Sequence, residues 1–562
     1  MPLREQISIY PNHSVAGEPL LVTLAGLVPA DFRGAERGMA FAYADAVIAF
    51  SCDRRSTSAA KERQGRCFIV TRGDACAANR LGAKVRFSGS LRLDPRLRGR
   101  TLDHEAIEGI GSIDVKGGDE VLAFYDDLPV WVSRNQQGDV VDLVSVPLPK
   151  IPTSERVFEH LNGRRFLELL PLLHFLRNVT AGLRWECPPL RACLMFDDPN
   201  LHWCSYGFLN YRALIDRARS HGFHVALATV PLDTWFADRR TASLIRENER
   251  YVSLLIHGNN HTRAEFANAG FTALPSLAQS LKRIDRLERK TGVHVERVFA
   301  PPHSACAESA MHAMLSLGFQ AACIDPWSLR RWNPGRKWPP TFGLGISELM
   351  AGFFPVLPRF KLSDSYEGAI AISAFLDRPI IPLAHHTTVR DGLEILDRIA
   401  ALINSFEGVA WSGPEGMLRS NFLSRREQDR LLITPYSRCI AFTVPQGIYT
   451  IVLQPAEQSA GTNGEEVLIL QEHAGRREQY RTGTESPISV FPGDQIEMRW
   501  SVLGSIDYAD VAILRTGFWP CSRRLLSEVR DRCLPLLSFG MRRSQGRLHR
   551  PFRSSNPQSI PE

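Results

Sequence analysis

From about residue 186 to residue 423 the chain repeats one unit: a short apolar run, one or two polar residues, then a stretch with helical patterning. The apolar runs are 223–230, 251–256, 295–299, 321–324 and 379–384. Segments 211–221, 274–291 and 308–317 carry the helical pattern, each followed by a glycine where a helix C′ residue belongs. Segment 391–404 is a further helix with an acid at its start, which suits the helix dipole. Strand–helix alternation of this kind requires a parallel sheet covered by helices, an α/β architecture.

The chemistry collects where the strands end. The first run, Arg191-Ala-Cys-Leu-Met-Phe-Asp197-Asp198-Pro199-Asn200, closes on two adjacent carboxylates. Neighbouring acids repel unless a cation or a shared proton lies between them, so the pair is costly as packing alone. At the carboxyl end of a barrel strand it lies where catalytic groups gather. The run 251–256 ends on His257-Gly-Asn-Asn-His261. Wound as a helical turn, its two imidazoles share one face and can ligate one ion. One aspartate and two histidines suit Zn²⁺ and related divalent ions. The run 379–384 ends on His385-His386, and 321–324 on Asp325.

Together these residues resemble the metal-dependent polysaccharide deacetylases, carbohydrate esterase family four, over roughly residues 186 to 423. Five ordered motifs carry the likeness: Phe196-Asp197-Asp198; His257 and His261; Ala300-Pro301-Pro302-His303; Asp325 with Trp327; and Leu383-Ala384-His385. The resemblance implies a distorted parallel β/α barrel and one divalent metal ion, zinc in the first instance, held by Asp198, His257 and His261. It makes Asp197 the general base, His385 the general acid and Asp325 the residue that orients His385. Trp327 and Leu383 become apolar walls for a small acyl group, with Pro302 and His303 beside them. Trp203 and Tyr206, in the aromatic run after the first strand, are candidates to stack on a sugar ring.

The implied reaction is removal of an acyl group, acetyl above all, from an amino sugar or a polysaccharide or oligosaccharide precursor. The alternatives are an inactive carbohydrate-binding barrel and a metal amidohydrolase of the same fold acting on a small non-sugar amide. Three positions depart from the family. Gly258 stands where Ser or Thr is usual, Pro199 where Gly is usual, and the arginine that normally precedes the paired prolines and supports the base is missing. Arg297 and His303 are near in sequence, though neither holds the matching position.

The flanks read differently. Residues 1–150 suggest an α/β domain without a recognisable site, with strands at 20–24 and 67–70 and a β meander over 121–146. Residues 151–185 read as a linker and helix. Short alternating runs over 430–517 suggest a β-sandwich that either binds carbohydrate or caps the barrel. Residues 518–562 read as a short helix and a basic, disordered, solvated tail.

A net charge of +7 over 562 residues argues against nucleic acid or a membrane as an obligatory partner. No secretory signal or membrane span is visible, since the apolar window 166–183 is broken by Glu168, His174 and Arg177. The eleven cysteines are scattered without a CxxC pair. The expectation is a cytoplasmic multidomain protein with a carbohydrate substrate; the oligomeric state is left open.

Overall fold

The computed structural model describes residues 4–10, 19–34, 44–52, 66–71, 74–75, 83–136, 139–152, 155–262, 264–267, 270, 272–456, 466–502 and 504–548. The repeating region builds one curled sheet. Strands β1 (Leu194–Asp197), β2 (Val225–Thr229), β3 (Val252–Ile256), β4 (Val295–Phe299) and β5 (Ala321–Ile324) lie side by side, all parallel. Strand β6 (Phe354–Pro358) continues past β5, and β7 (Phe360–Lys361) pairs with β8 (Pro382–Ala384), which pairs with β1. Only Arg359 separates β6 from β7. One stretch of chain therefore bonds to one flank of the sheet with its first half and to the other flank with its second, which curls the sheet back on itself. A short strand, Glu348–Met350, adds antiparallel to β6.

Both faces of these strands are buried, which is why they read as continuous apolar runs rather than alternating ones. Cys193, Met195, Ala226, Ala228, Leu255 and Val298 pack inside the curl. Leu194, Phe196, Val225, Leu227, Leu254 and Ile256 pack outward, in the core shared with the helices. These include α1 (Tyr211–His221) and α2 (Ala273–Thr291), whose ends Gly222 and Gly292 adopt φ of +64° and +69°, as expected of C′ glycines.

The amino-terminal residues form a second nine-stranded mixed sheet. Its meander is present, with Trp131 opposite Val144 on one side and Ala123 on the other. The run at 20–24 is part of a helix, Pro19–Leu27, and not a strand. A short apolar run fits either state, and here Leu20, Leu21 and Leu24 are buried at helical spacing. The segment 155–183 holds a helix at Leu170–Val179 flanked by 3₁₀ turns. The buried core runs without a break from this sheet into the curled one.

An ionic cluster stitches the two regions. Asp377, before β8, faces Arg96 of the first region and Arg177 and Arg184 of the connecting segment. Burial raises the Asp377 carboxyl, but Arg177 and Arg96 outweigh it and hold it below the usual range. Such a group stabilises the fold fully above its unfolded value, and that contribution is lost as the pH falls toward its folded one. Asp377→Ala should therefore cost about 2 kcal/mol at pH 7. The gap to wild type should shrink below about pH 4, as denaturant titrations at the two pH values would read.

Toward the carboxyl end, two four-stranded sheets enclose a common core. Leu431, Ile433 and Ile451 of one meet Ile440, Val467, Ile496 and Met498 of the other. The helix α3 (Phe518–Leu548) follows, longer than the short helix expected. Residues 549–562 lie outside the described residues.

Candidate active site

Side-chain alternation along β1 carries Cys193, Met195 and Asp197 to the inside of the curl. The backbone then breaks: Asp198 has φ of +81°, a left-handed conformation costly for a residue with a Cβ. The break ends the alternation and lets both carboxylates serve one mouth. His261, His303 and Ser304, on neighbouring strand ends, share the left-handed conformation with φ of +54°, +55° and +53°. Strain of this kind persists where surrounding structure imposes it and gathers at functional sites.

Asp198, His257 and His261 come together, with one ligand atom of each within 4.8 Å of the others. Asp198 Oδ1 lies 3.1 Å from His261 Nε2 and 3.9 Å from His257 Nε2. Ligands at about 2.0–2.2 Å from one Zn²⁺ in tetrahedral array would be separated by distances of this order. The donor chemistry fits as well. His257 Nδ1 donates to the Ala300 carbonyl at 2.8 Å, which leaves Nε2 as the lone-pair nitrogen facing Asp198. Burial first, against the attraction of Asp198, pushes His261 down to about 3, so it is neutral and able to ligate at neutral pH. Burial raises the Asp198 carboxyl, but His261, His257 and Arg524 together hold it well below the carboxylate range.

The turn carrying the histidines is a loop and not the helical turn expected from spacing. Gly258 (φ +70°) and His261 break helical winding, and Glu265 holds the loop by accepting the backbone N–H groups of Asn259, Asn260 and His261. Glycine at 258 also has a steric reason. A Cβ there would lie 2.6 Å from Pro302 Cγ, so no side chain fits without displacing the proline.

Asp197 has an arginine partner that sequence reasoning did not find. Arg359, 1% exposed, lies between β6 and β7 and donates to both oxygens of Asp197, at 3.1 and 3.3 Å. Its other amino group donates to the Pro301 carbonyl at 3.3 Å and to Ser304 Oγ at 3.1 Å. The loop that lacks the arginine therefore helps hold one supplied by another strand. Arg297 is engaged elsewhere, with Glu288 and Asp285. His303 lies beside His261, its ring tilted at 48° with centroids 5.7 Å apart.

The remaining expected residues divide. His385 is exposed at the end of β8 and near enough to Asp198 to lower its carboxyl further. Asp325 caps a helix, accepting the Ser328 N–H at 2.8 Å. Among the described residues no hydrogen bond or ion pair joins it to His385. Leu383 packs against the interior of the curl, and Pro302 is buried against Gly258. Trp327 is half exposed and edge-on to Phe158 at 5.3 Å. Trp203 is 60% exposed, with Arg532 over its ring. Tyr206 is fully buried and donates its hydroxyl to Asp531 at 2.8 Å, so its ring offers no face to a sugar.

Helix α3 reaches this mouth with one face. Arg524 forms a two-point ion pair with Asp233 and places Nη1 3.3 Å from Asp198 Oδ1. Arg523 donates to the His261 carbonyl. Glu528 accepts from His202 Nδ1 at 3.0 Å, and Asp531 faces His386 at 3.6 Å. Asp233 anchors this helix through Arg524.

No family model and no curated protein matches the chain. Solved structures that it resembles in part include a family 4 carbohydrate esterase from Streptomyces lividans in complex with acetate (14% identity, 40% of this chain and 93% of that one, TM-score 0.25). Another is Bacillus subtilis PdaA, a family 4 carbohydrate esterase (15%, 40% and 78%, TM-score 0.24). A third is a CE4 esterase of Streptococcus mutans (14%, 40% and 85%, TM-score 0.25). At these TM-scores they establish no family for the chain.

Proposed function

We infer that this protein is a metal-dependent hydrolase that removes an N-acyl group, acetyl in the first instance, from an amino sugar or a polysaccharide or oligosaccharide precursor. In this reading the curled sheet is a distorted β/α barrel of the deacetylase type over residues 186–423, and residues 430–517 are a β-sandwich packed beside it. The observation that carries the proposal is one carboxylate grouped with two imidazoles beside a second carboxylate that faces inward and is pinned by Arg359.

Asp198, His257 and His261 would hold one divalent ion, zinc being the best match to the donor set. When bound, such an ion supplies Lewis acidity toward water and an acyl oxygen. Asp197 takes the proton from the attacking water, and its contact with Arg359 keeps the carboxylate fixed in orientation. His385, exposed at the mouth, returns a proton to the leaving amine as the C–N bond breaks. The small walls at Leu383 and Pro302 favour a short acyl group. Arg359 removes the main support for an inactive barrel, which was the lack of an arginine beside the base.

The test combines metal analysis with a deacetylation assay on N-acetylated oligosaccharides. Wild-type protein should carry one divalent ion per chain and release acetate. His257→Ala should weaken metal affinity by more than the roughly 10- to 100-fold that loss of an outer partner costs, and abolish release. A wild-type protein that binds no divalent ion would overturn the proposal.

A further inference from the structure

The face of α3 turned away from the site has no partner among the described residues, and its composition is unusual for a free surface. Phe518, Trp519, Leu525, Leu526 and Val529 are between 52% and 88% exposed. They recur at helical spacing on the side opposite Arg524, Glu528 and Asp531. Ile513 and Leu514, just ahead of the helix, are also exposed. A contiguous apolar stripe of this kind marks an interaction surface, whereas single exposed apolar residues do not.

Two further observations indicate what covers it. The first is charge. After Asp531 no acidic residue follows until Glu562, while Arg532, Arg542, Arg543, Arg547, Arg550 and Arg553 do. The second is the rim. Trp203, beside Arg532, and Trp235 and Phe236, packed on His202 where Glu528 joins it, are all exposed next to the helix. Exposed tryptophan and phenylalanine with leucine, in a chain that continues into an arginine-rich sequence, match a surface that is apolar below and anionic above. No helix among the described residues is long and apolar enough to cross a membrane, so the fit is to lying on one.

We propose that α3 is an interfacial helix that docks this protein on an anionic lipid surface. The outer stripe enters the boundary between headgroups and acyl chains, and the arginines pair with lipid phosphates. The inner face stays keyed to Asp198, Asp233 and His202, so docking places the candidate site against the bilayer. The proposal does not depend on the hydrolase reading.

Flotation of the full chain with phosphatidylcholine vesicles, with and without phosphatidylglycerol, tests it. Binding should appear with phosphatidylglycerol, weaken with added salt, and fall at least about tenfold in Leu525→Glu/Leu526→Glu. Leu91→Glu, at an exposed leucine far from α3 in sequence, should leave binding unchanged, and metal content should be the same in all variants. No flotation with phosphatidylglycerol vesicles, or equal flotation without it, overturns the proposal. So does self-association in sedimentation that Leu525→Glu/Leu526→Glu abolishes while no vesicle binding occurs, since the stripe would then pair with a second copy.

Discussion

Asp197→Asn is expected to lower turnover on an N-acetylated oligosaccharide by about 10²- to 10⁴-fold, the range for loss of a positioned general base. Metal content should be unchanged, because Asp197 is not among the clustered ligand atoms. The amide preserves shape and keeps one oxygen to accept from Arg359, so the fold should survive. It cannot take a proton. Asp198→Asn provides the contrast, since it should lose metal and turnover together. Turnover by Asp197→Asn within a few-fold of wild type would remove Asp197 from the chemistry and leave it a structural partner of Arg359.

Arg359→Met should be among the most damaging single changes for stability, costing about 3–5 kcal/mol. The methionine fills much of the space but leaves a buried carboxylate at Asp197 and removes the contacts to the Pro301 carbonyl and Ser304 Oγ. Arg359→Lys should recover part of the loss, keeping the charge but not the planar fork that spans three partners. A double-mutant cycle separates positioning from bulk packing. On the Asp197→Asn background Arg359→Met should cost less, with a coupling of about 0.5–3 kcal/mol. Equal cost on both backgrounds in denaturant titration would show that the arginine acts independently of Asp197.

Legibility followed locality. Asp197, His257 and His385 each directly follow an apolar run, with Asp198 and His261 within a few residues behind, and a parallel sheet brings such strand ends to one rim. Conformation inside the loops was less readable. Spacing suggested a helical turn for His257–His261, but the carboxylate of Glu265 and the close approach of Pro302 to Gly258 set a different path. Asp325 accepts the Ser328 N–H as a helix cap, a role that acids at strand ends share with catalysis, so the motif alone does not separate the two. Tyr206 was readable as an aromatic in a mouth loop; its burial by α3 was not.

By itself the sequence determined the α/β class, the order of the strand ends and which side chains could form a carboxylate–imidazole site. These follow from hydrophobic period and residue chemistry, which act over a few positions. Only the tertiary structure decided which arginine supports Asp197 and what lies over the mouth. Arg359 is 162 positions from Asp197, and Arg524 is 326 from Asp198. Ion pairs depend on distance in space, and no periodicity along the chain encodes a meeting that the curling of the sheet and the return of the last helix bring about.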